Sequence, residues 1–167
     1  LYKKKILDKI YLEDEPSVIE PNNYKINLSN KQRAIFNTIL PSIEKLQFNG
    51  FLIHGVPGSG KTEIYAKLAQ ETIKRGKNVI VLIPEIILTT QMKHRFIKYF
   101  GDNIAIWHSK MTAKEKKLTI KKIINGDYKI VIGARSSIFC PMPDLGLIII
   151  DEEQDNSYKQ ESPRTYY

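Results

Sequence analysis

The chain has 167 residues, 42% of them hydrophobic, and 26 Lys and Arg against 18 Asp and Glu give a net charge of +8. This composition supports one domain with a real core and excludes a disordered chain. No apolar run approaches the ~18 residues of a membrane span, no secretory signal opens the chain, and the single Cys140 excludes an internal disulfide or a cysteine zinc cluster within it. A cytoplasmic protein without a membrane partner is expected, and Leu1 in place of methionine reads as the start of an excised piece.

Residues 1–25 read as a connector: they are charged, carry Pro16 and Pro21, and end in Asn22-Asn23. From there to residue 167 the pattern is that of one lobe. Leu28 to Phe48 has helical spacing, with Ile35, Phe36, Ile39, Leu40 and Ile43 on one side, and Pro41 is expected to break or kink it. A strand is expected at Phe51–His54, then a glycine-rich loop, then a helix from Thr62 to Arg75 stopped by Gly76. Val79–Ile83 follows as an apolar run without alternation. A helix over Leu88–Phe100 and a strand over Ile104–Trp107 come next. Thr112 and Glu115 form a capping box that opens a helix ending before Gly126, and Lys129–Ile132 and Leu147–Ile150 are two more apolar runs. Strands apolar on both faces, separated by helix-length crossovers, predict a parallel sheet between helices.

The loop between the first strand and its helix reads GVPGSGKT, a full match to G-x-x-x-x-G-K-[ST]. Gly55, Val56, Pro57, Gly58, Ser59 and Gly60 would turn backbone N–H groups inward around an anion, and the helix N-terminus adds partial positive charge. Lys61 brings a point charge for the β- and γ-phosphates. Thr62 offers a hydroxyl to Mg²⁺, and Glu63 lies next along the helix start. ATP with Mg²⁺ is the implied ligand.

The last apolar run ends in Asp151-Glu152. Open α/β sheets bind ligands at the carboxyl ends of their strands, so these carboxylates should arrive beside the phosphate loop. Asp151 suits the Mg²⁺ shell and Glu152 the activation of water. With Lys61 they form the candidate catalytic set. Basic residues are also concentrated: nine Lys or Arg lie between Met92 and Lys122 against Asp102 and Glu115. That suits a polyanion, though a solvated helix face would look the same.

The tetrad Asp151-Glu152-Glu153-Gln154, taken with GVPGSGKT, resembles the superfamily 2 helicases. Val81–Gln91, Trp107-His108-Ser109, Val131–Phe139 and Asp151–Gln160, in that order, narrow the resemblance to the bacterial replication-restart helicases. It implies the first RecA-like lobe, a three-layer P-loop fold with a mostly parallel sheet, of a 3′→5′ DNA helicase that hydrolyses ATP. Implied partners are single-stranded and forked DNA, primosome proteins, single-strand-binding protein and a second lobe. Nucleoid association in a bacterial cytoplasm follows.

The resemblance also assigns residues. Gln32 matches an adenine-reading glutamine, although Ser29 and Gln32 alone would make a capping box. Glu85, Thr89, Thr90 and Gln91 match one DNA-tracking segment. Gly133-Ala134-Arg135-Ser136-Ser137 matches another, in which Gly133 would admit a DNA backbone and Arg135 would fork onto a phosphate, or else serve as an ion-pair partner. Tyr158, Lys159, Gln160, Pro163 and Arg164 match a loop linking single-strand binding to ATP turnover. Gln154 stands where the family usually has histidine, so coupling between ATP and DNA could differ. Zinc is implied only for cysteines outside this sequence. So is the arginine finger of the second lobe, and the lobe alone is expected to bind Mg²⁺–nucleotide but hardly to hydrolyse it. Two other classes stay open on the residues: a P-loop kinase or small-molecule NTPase, and a module that only binds DNA or protein.

Overall fold

The computed structural model describes residues 26–56, 58–84 and 96–158, so the connector over 1–25 lies outside the described residues. Three labelled helices and four strands follow in order: α1 (Asn30–Glu44), α2 (Lys61–Lys74), β1 (Asn78–Leu82), β2 (Ile104–Trp107), α3 (Ala113–Asn125), β3 (Ile130–Gly133) and β4 (Leu145–Ile150). Residues 96–100 are also helical.

Local signals set most of these boundaries. At α1, Ser29 Oγ accepts from the Gln32 N–H and Gln32 Oε1 accepts from the Ser29 N–H at 2.8 Å. At α3, Thr112 and Glu115 make the same reciprocal pair. Each box satisfies two N–H groups that a helix start leaves without partners. Gly76 and Gly126 stop α2 and α3 at φ 72° and 82°, a conformation that disfavours a side chain.

Pro41 does not end α1. The helix continues through it to Glu44, and the Pro41 carbonyl accepts from Lys45 N–H at 3.0 Å. A proline removes one donor, and here the last turn tolerates the loss because Ile39 and Ile43, on either side of it, are buried.

All four strands run parallel, in the order β2-β3-β1-β4. Alternation sends Val79, Val81, Ile130, Ile132 and Ile149 to one face, against Tyr65 and Ala69 of α2 and Phe96. Ile80, Leu82, Ala105 and Val131 point to the other face, against Ile123 of α3. The result is a three-layer α/β sandwich. The central strands β1 and β3 are buried on both faces and read as continuous apolar runs, while edge strand β4 is apolar yet leaves Ile148 and Ile150 exposed.

The expected strand at Phe51–His54 is not formed: these residues join no ladder among the described residues. An apolar run supplies side chains to pack, and Ile53 does pack against the cores around α2. A strand also needs a paired backbone, and Phe51–His54 has none among the described residues, although β4 lies at the sheet edge with β1 on one side only.

Gly133, at the end of β3, is required by the fold itself. A Cβ there would run into the Trp107 carbonyl and the Ser137 hydroxyl. This internal contact is a reason for glycine here that holds whether or not a DNA backbone approaches. Gly133→Ala should cost about 1–3 kcal/mol through overpacking, seen as a drop of several degrees in the thermal midpoint. Among the described residues no helix is long and apolar enough to cross a membrane.

Candidate nucleotide site

The site forms where the carboxyl ends of the strands meet the start of α2. The loop before α2 is irregular, with Gly58 at φ 78° and Gly60 at φ 81°. Pro57 lies outside the described residues. Gly60 is the N-cap of α2 and supplies no side-chain cap. The contrast with α1 and α3 is informative: two helices close their first turns with capping boxes, and α2 leaves its N–H groups for something else. Such a terminus is an anion site. Lys61 reaches back to the loop, its Nζ donating to the Gly55 carbonyl at 2.7 Å.

The carboxylates arrive on β4. The Asp151 N–H donates to the Leu82 carbonyl at 2.9 Å, so pairing with β1 holds Asp151 one step beyond the strand. Glu152 then turns the chain at φ 49°, an uncommon conformation for a residue with a side chain. Its carboxylate accepts from Gln154 Nε2 at 2.6 Å, and its carbonyl accepts from the Asp155 N–H at 2.8 Å. A cavity of about 230 Å³ separates the two halves, lined by residues 58–63 on one side and Asp151 and Glu152 on the other. A second cavity of about 300 Å³ adjoins it, sharing Lys61, Asp151 and Glu152 and adding Tyr65, Gln154 and His54.

The electrostatics of Asp151 are unusual. Burial, then the neighbouring charge of Glu152, push its carboxyl above the usual carboxylate range. A backbone N–H of Glu152, the Lys61 ammonium and the Tyr65 hydroxyl offset this only in part. One oxygen, Oδ1, is buried and has no hydrogen-bond partner. Burial, then Asp151, push the phenols of Tyr65 and Tyr158 well above their ordinary value, so both stay protonated as donors.

An orphaned carboxylate oxygen at a phosphate-sized cavity fits a divalent cation. Among the described residues no group of three His, Cys, Asp or Glu could hold a metal by itself. That suits Mg²⁺, which takes one or two protein ligands and completes its shell with phosphates and water. Thr62 and Asp151 border the same cavity.

Gln32 does two jobs at once. Its Oε1 closes the α1 capping box, and its Nε2 donates to the Gly60 carbonyl at 3.2 Å and to the Ser59 carbonyl at 3.5 Å. The side chain thus ties α1 to the glycine loop. Arg135 and Ser136 are exposed in the 3-10 turn Arg135–Phe139 after β3. Arg135 Nη1 donates to the Tyr158 carbonyl at 3.5 Å, while the Tyr158 hydroxyl donates to the Asp151 carbonyl at 2.9 Å. No carboxylate pairs with Arg135 among the described residues. Glu85, Thr89, Thr90, Gln91, Lys159 and Arg164 lie outside the described residues. Tyr65 escaped the sequence reading. The signal was its place four residues after Lys61, one turn along the same helix face.

The model of the family described as "Type III restriction enzyme, res subunit" matches residues 25–164. Replication restart protein PriA of Bacillus subtilis (strain 168) is 41% identical over 167 residues, covering 100% of this chain and 20% of the relative. PriA of Rickettsia conorii is 50% identical over 146 residues, covering 87% and 22%. The chain therefore spans about a fifth of the length of these curated relatives. A solved structure of RecG bound to a three-way DNA junction superposes with a TM-score of 0.69 at 25% identity, over 82% of this chain and 19% of that one. The fold is a RecA-like lobe.

Proposed function

The chain belongs to the family of the type III restriction enzyme res subunit, and from this premise we propose that it is the first, ATP-binding lobe of a 3′→5′ DNA helicase that restarts stalled replication forks. The lobe takes in residues 26–167, with 1–25 as its connector. The observation that carries this reading is the convergence of the Gly58–Glu63 turn and Asp151-Glu152 on one cavity. The PriA relatives support the restart role, and the structure of RecG on a DNA junction supports a nucleic-acid partner.

In this reading the loop N–H groups and the uncapped start of α2 hold the phosphates of ATP. Lys61 leaves the Gly55 carbonyl and places its ammonium on the β- and γ-phosphates. Thr62 and Asp151 hold Mg²⁺, which when bound neutralises developing phosphate charge. Glu152, steadied by Gln154, orients a water and takes its proton. Gln32 reads adenine by exchanging a present bond for one to the base. Glu85, Thr89, Thr90 and Gln91 belong to the DNA path, as do Arg135, Ser136, Tyr158, Lys159 and Arg164. The path from Arg135 through Tyr158 to the Asp151 carbonyl gives DNA a physical route to the nucleotide site. Full hydrolysis needs a second lobe, and single-strand-binding protein and primosome proteins join the whole protein in a bacterial cytoplasm at the nucleoid.

A salt titration tests the DNA part. Single-stranded DNA binding by the chain should weaken as salt rises, and Arg135→Ala should flatten the log–log slope by about 0.7, one phosphate contact on a single strand. Identical slopes for both proteins would remove Arg135 from the DNA path.

A further inference from the structure

The positive side chains of α2 and α3 have different surroundings. Around α2 they meet acids: Lys67, Lys74 and Arg75 all pair with Glu71, and Arg75 also reaches Glu44 of α1. On α3, Lys114, Lys117 and Lys121 are exposed on the side of the helix turned away from the buried Ile123. Among the described residues none of these three lysines has a carboxylate at ion-pair distance. Glu115, the one acid of α3, closes the capping box with Thr112. Like charges three and four residues apart repel along a helix, and Lys114 in the first turn also faces the positive end of the helix dipole. The row is a cost to the isolated lobe that a bound polyanion removes.

We propose that Lys114, Lys117 and Lys121 bind the phosphate backbone of duplex DNA, on the arm that adjoins the single strand at Arg135. The proposal rests on the DNA reading above. Position supports it: Trp107 at the end of β2 pairs with Gly133 at the end of β3, so the turn leading into α3 leaves the sheet beside the Arg135–Phe139 turn. Charge and shape choose the duplex. Double-stranded DNA is a stiff polyanion with one charge per about 1.7 Å of its axis, and a convex row of lysines can lie along it. A single strand needs aromatic faces on which its bases stack. The two rings beside α3, Trp107 and Tyr128, are half-buried, and the ammonium groups of Lys116 and Lys122 lie over them at 5.9 and 5.6 Å. Lysine meets phosphate as a point charge and reads no base, so this contact is independent of sequence.

The test measures binding of a blunt duplex and of a poly-dT strand of equal length, by fluorescence anisotropy over a salt series. The chain carrying Lys114→Gln, Lys117→Gln and Lys121→Gln together should lose about 2.7 of the log–log slope for the duplex, three phosphate contacts at ~0.9 each, and less than about 0.7 of the slope for the single strand. Its melting point should equal or exceed the parent's, because glutamine forms helices about as well as lysine and the repulsion is gone. A control with Lys31→Gln, Lys45→Gln and Lys74→Gln removes the same charge from exposed positions on the α1 and α2 side. Equal flattening by the two triple variants would overturn the proposal, since net charge alone would then account for it. An unchanged duplex slope in the α3 variant, or a parent that binds the single strand and not the duplex, would also overturn it and leave the DNA reading standing. A parent that binds neither overturns the DNA reading and this proposal with it. An oligo-aspartate that binds the parent more tightly than the duplex does, through the same three lysines, would assign the face to an acidic protein instead.

Discussion

Lys61→Ala should lower the affinity of the chain for Mg²⁺–ATP at least about 100-fold, by removing two charge-assisted contacts of roughly 1.5–3 kcal/mol each. The fold should survive. In the structure the Lys61 ammonium bonds one loop carbonyl, Gly55, and the side chain is only partly buried. Losing that bond costs about 1 kcal/mol, and alanine at the first position of α2 favours the helix. The thermal midpoint should therefore move by no more than about 2–4 °C. Calorimetric titration together with a melting curve checks both halves. Unchanged affinity would take Lys61 out of the site. Collapse of the fold would show that the lysine serves structure.

Asp151→Asn should separate stability from binding in opposite directions. The Asp151 carboxyl titrates above the usual carboxylate range because burial, then Glu152, disfavour its charge. A carboxyl raised in the folded state stabilises the protein while protonated. That contribution is complete below the unfolded value, about 3.9, and is lost as pH rises through the folded value. At neutral pH the ionised group is therefore a cost to the metal-free fold. Asparagine removes the charge at nearly equal shape, so the variant should melt higher than the parent at pH 7, and the difference should vanish as pH falls towards 4. Nucleotide binding moves the other way: the Mg²⁺-dependent part of ATP affinity should fall by about 10–100-fold. Paired melting curves across pH, with titrations in Mg²⁺ and in EDTA, read both effects. A variant that melts lower than its parent at pH 7 would show that Asp151 is a structural partner and not a strained ligand.

The two predictions share a cause with what was readable in the chain. GVPGSGKT and the two capping boxes are local rules, in which neighbours in sequence satisfy one another, and the Thr112–Glu115 box forms as its spacing predicts. The parallel sheet followed from uninterrupted apolar runs, a signature of burial on both faces that holds for β1 and β3 and not for the exposed edge strand β4. Long-range facts were less visible. Phe51–His54 has strand chemistry and no ladder, because pairing depends on a backbone distant in sequence. Gly133 was read as a place where a DNA backbone could approach, and the closeness of Trp107 and Ser137 in three dimensions adds a reason the sequence does not display. Gln32 carried two readings, and the capping bonds are present together with an unforeseen tie to the glycine loop. The tie from Arg135 through Tyr158 to Asp151 is of the same kind.

The central claim is that Thr62 and Asp151 share one metal ion on a nucleotide cradled by residues 55–62. Crystals of the chain grown with Mn²⁺ and a non-hydrolysable ATP analogue address it directly through anomalous scattering. The account predicts a single strong anomalous peak between the Thr62 hydroxyl and Asp151 Oδ1, in contact with the β- and γ-phosphates. A nucleotide bound elsewhere, or bound in the loop with the metal away from Asp151, would contradict it.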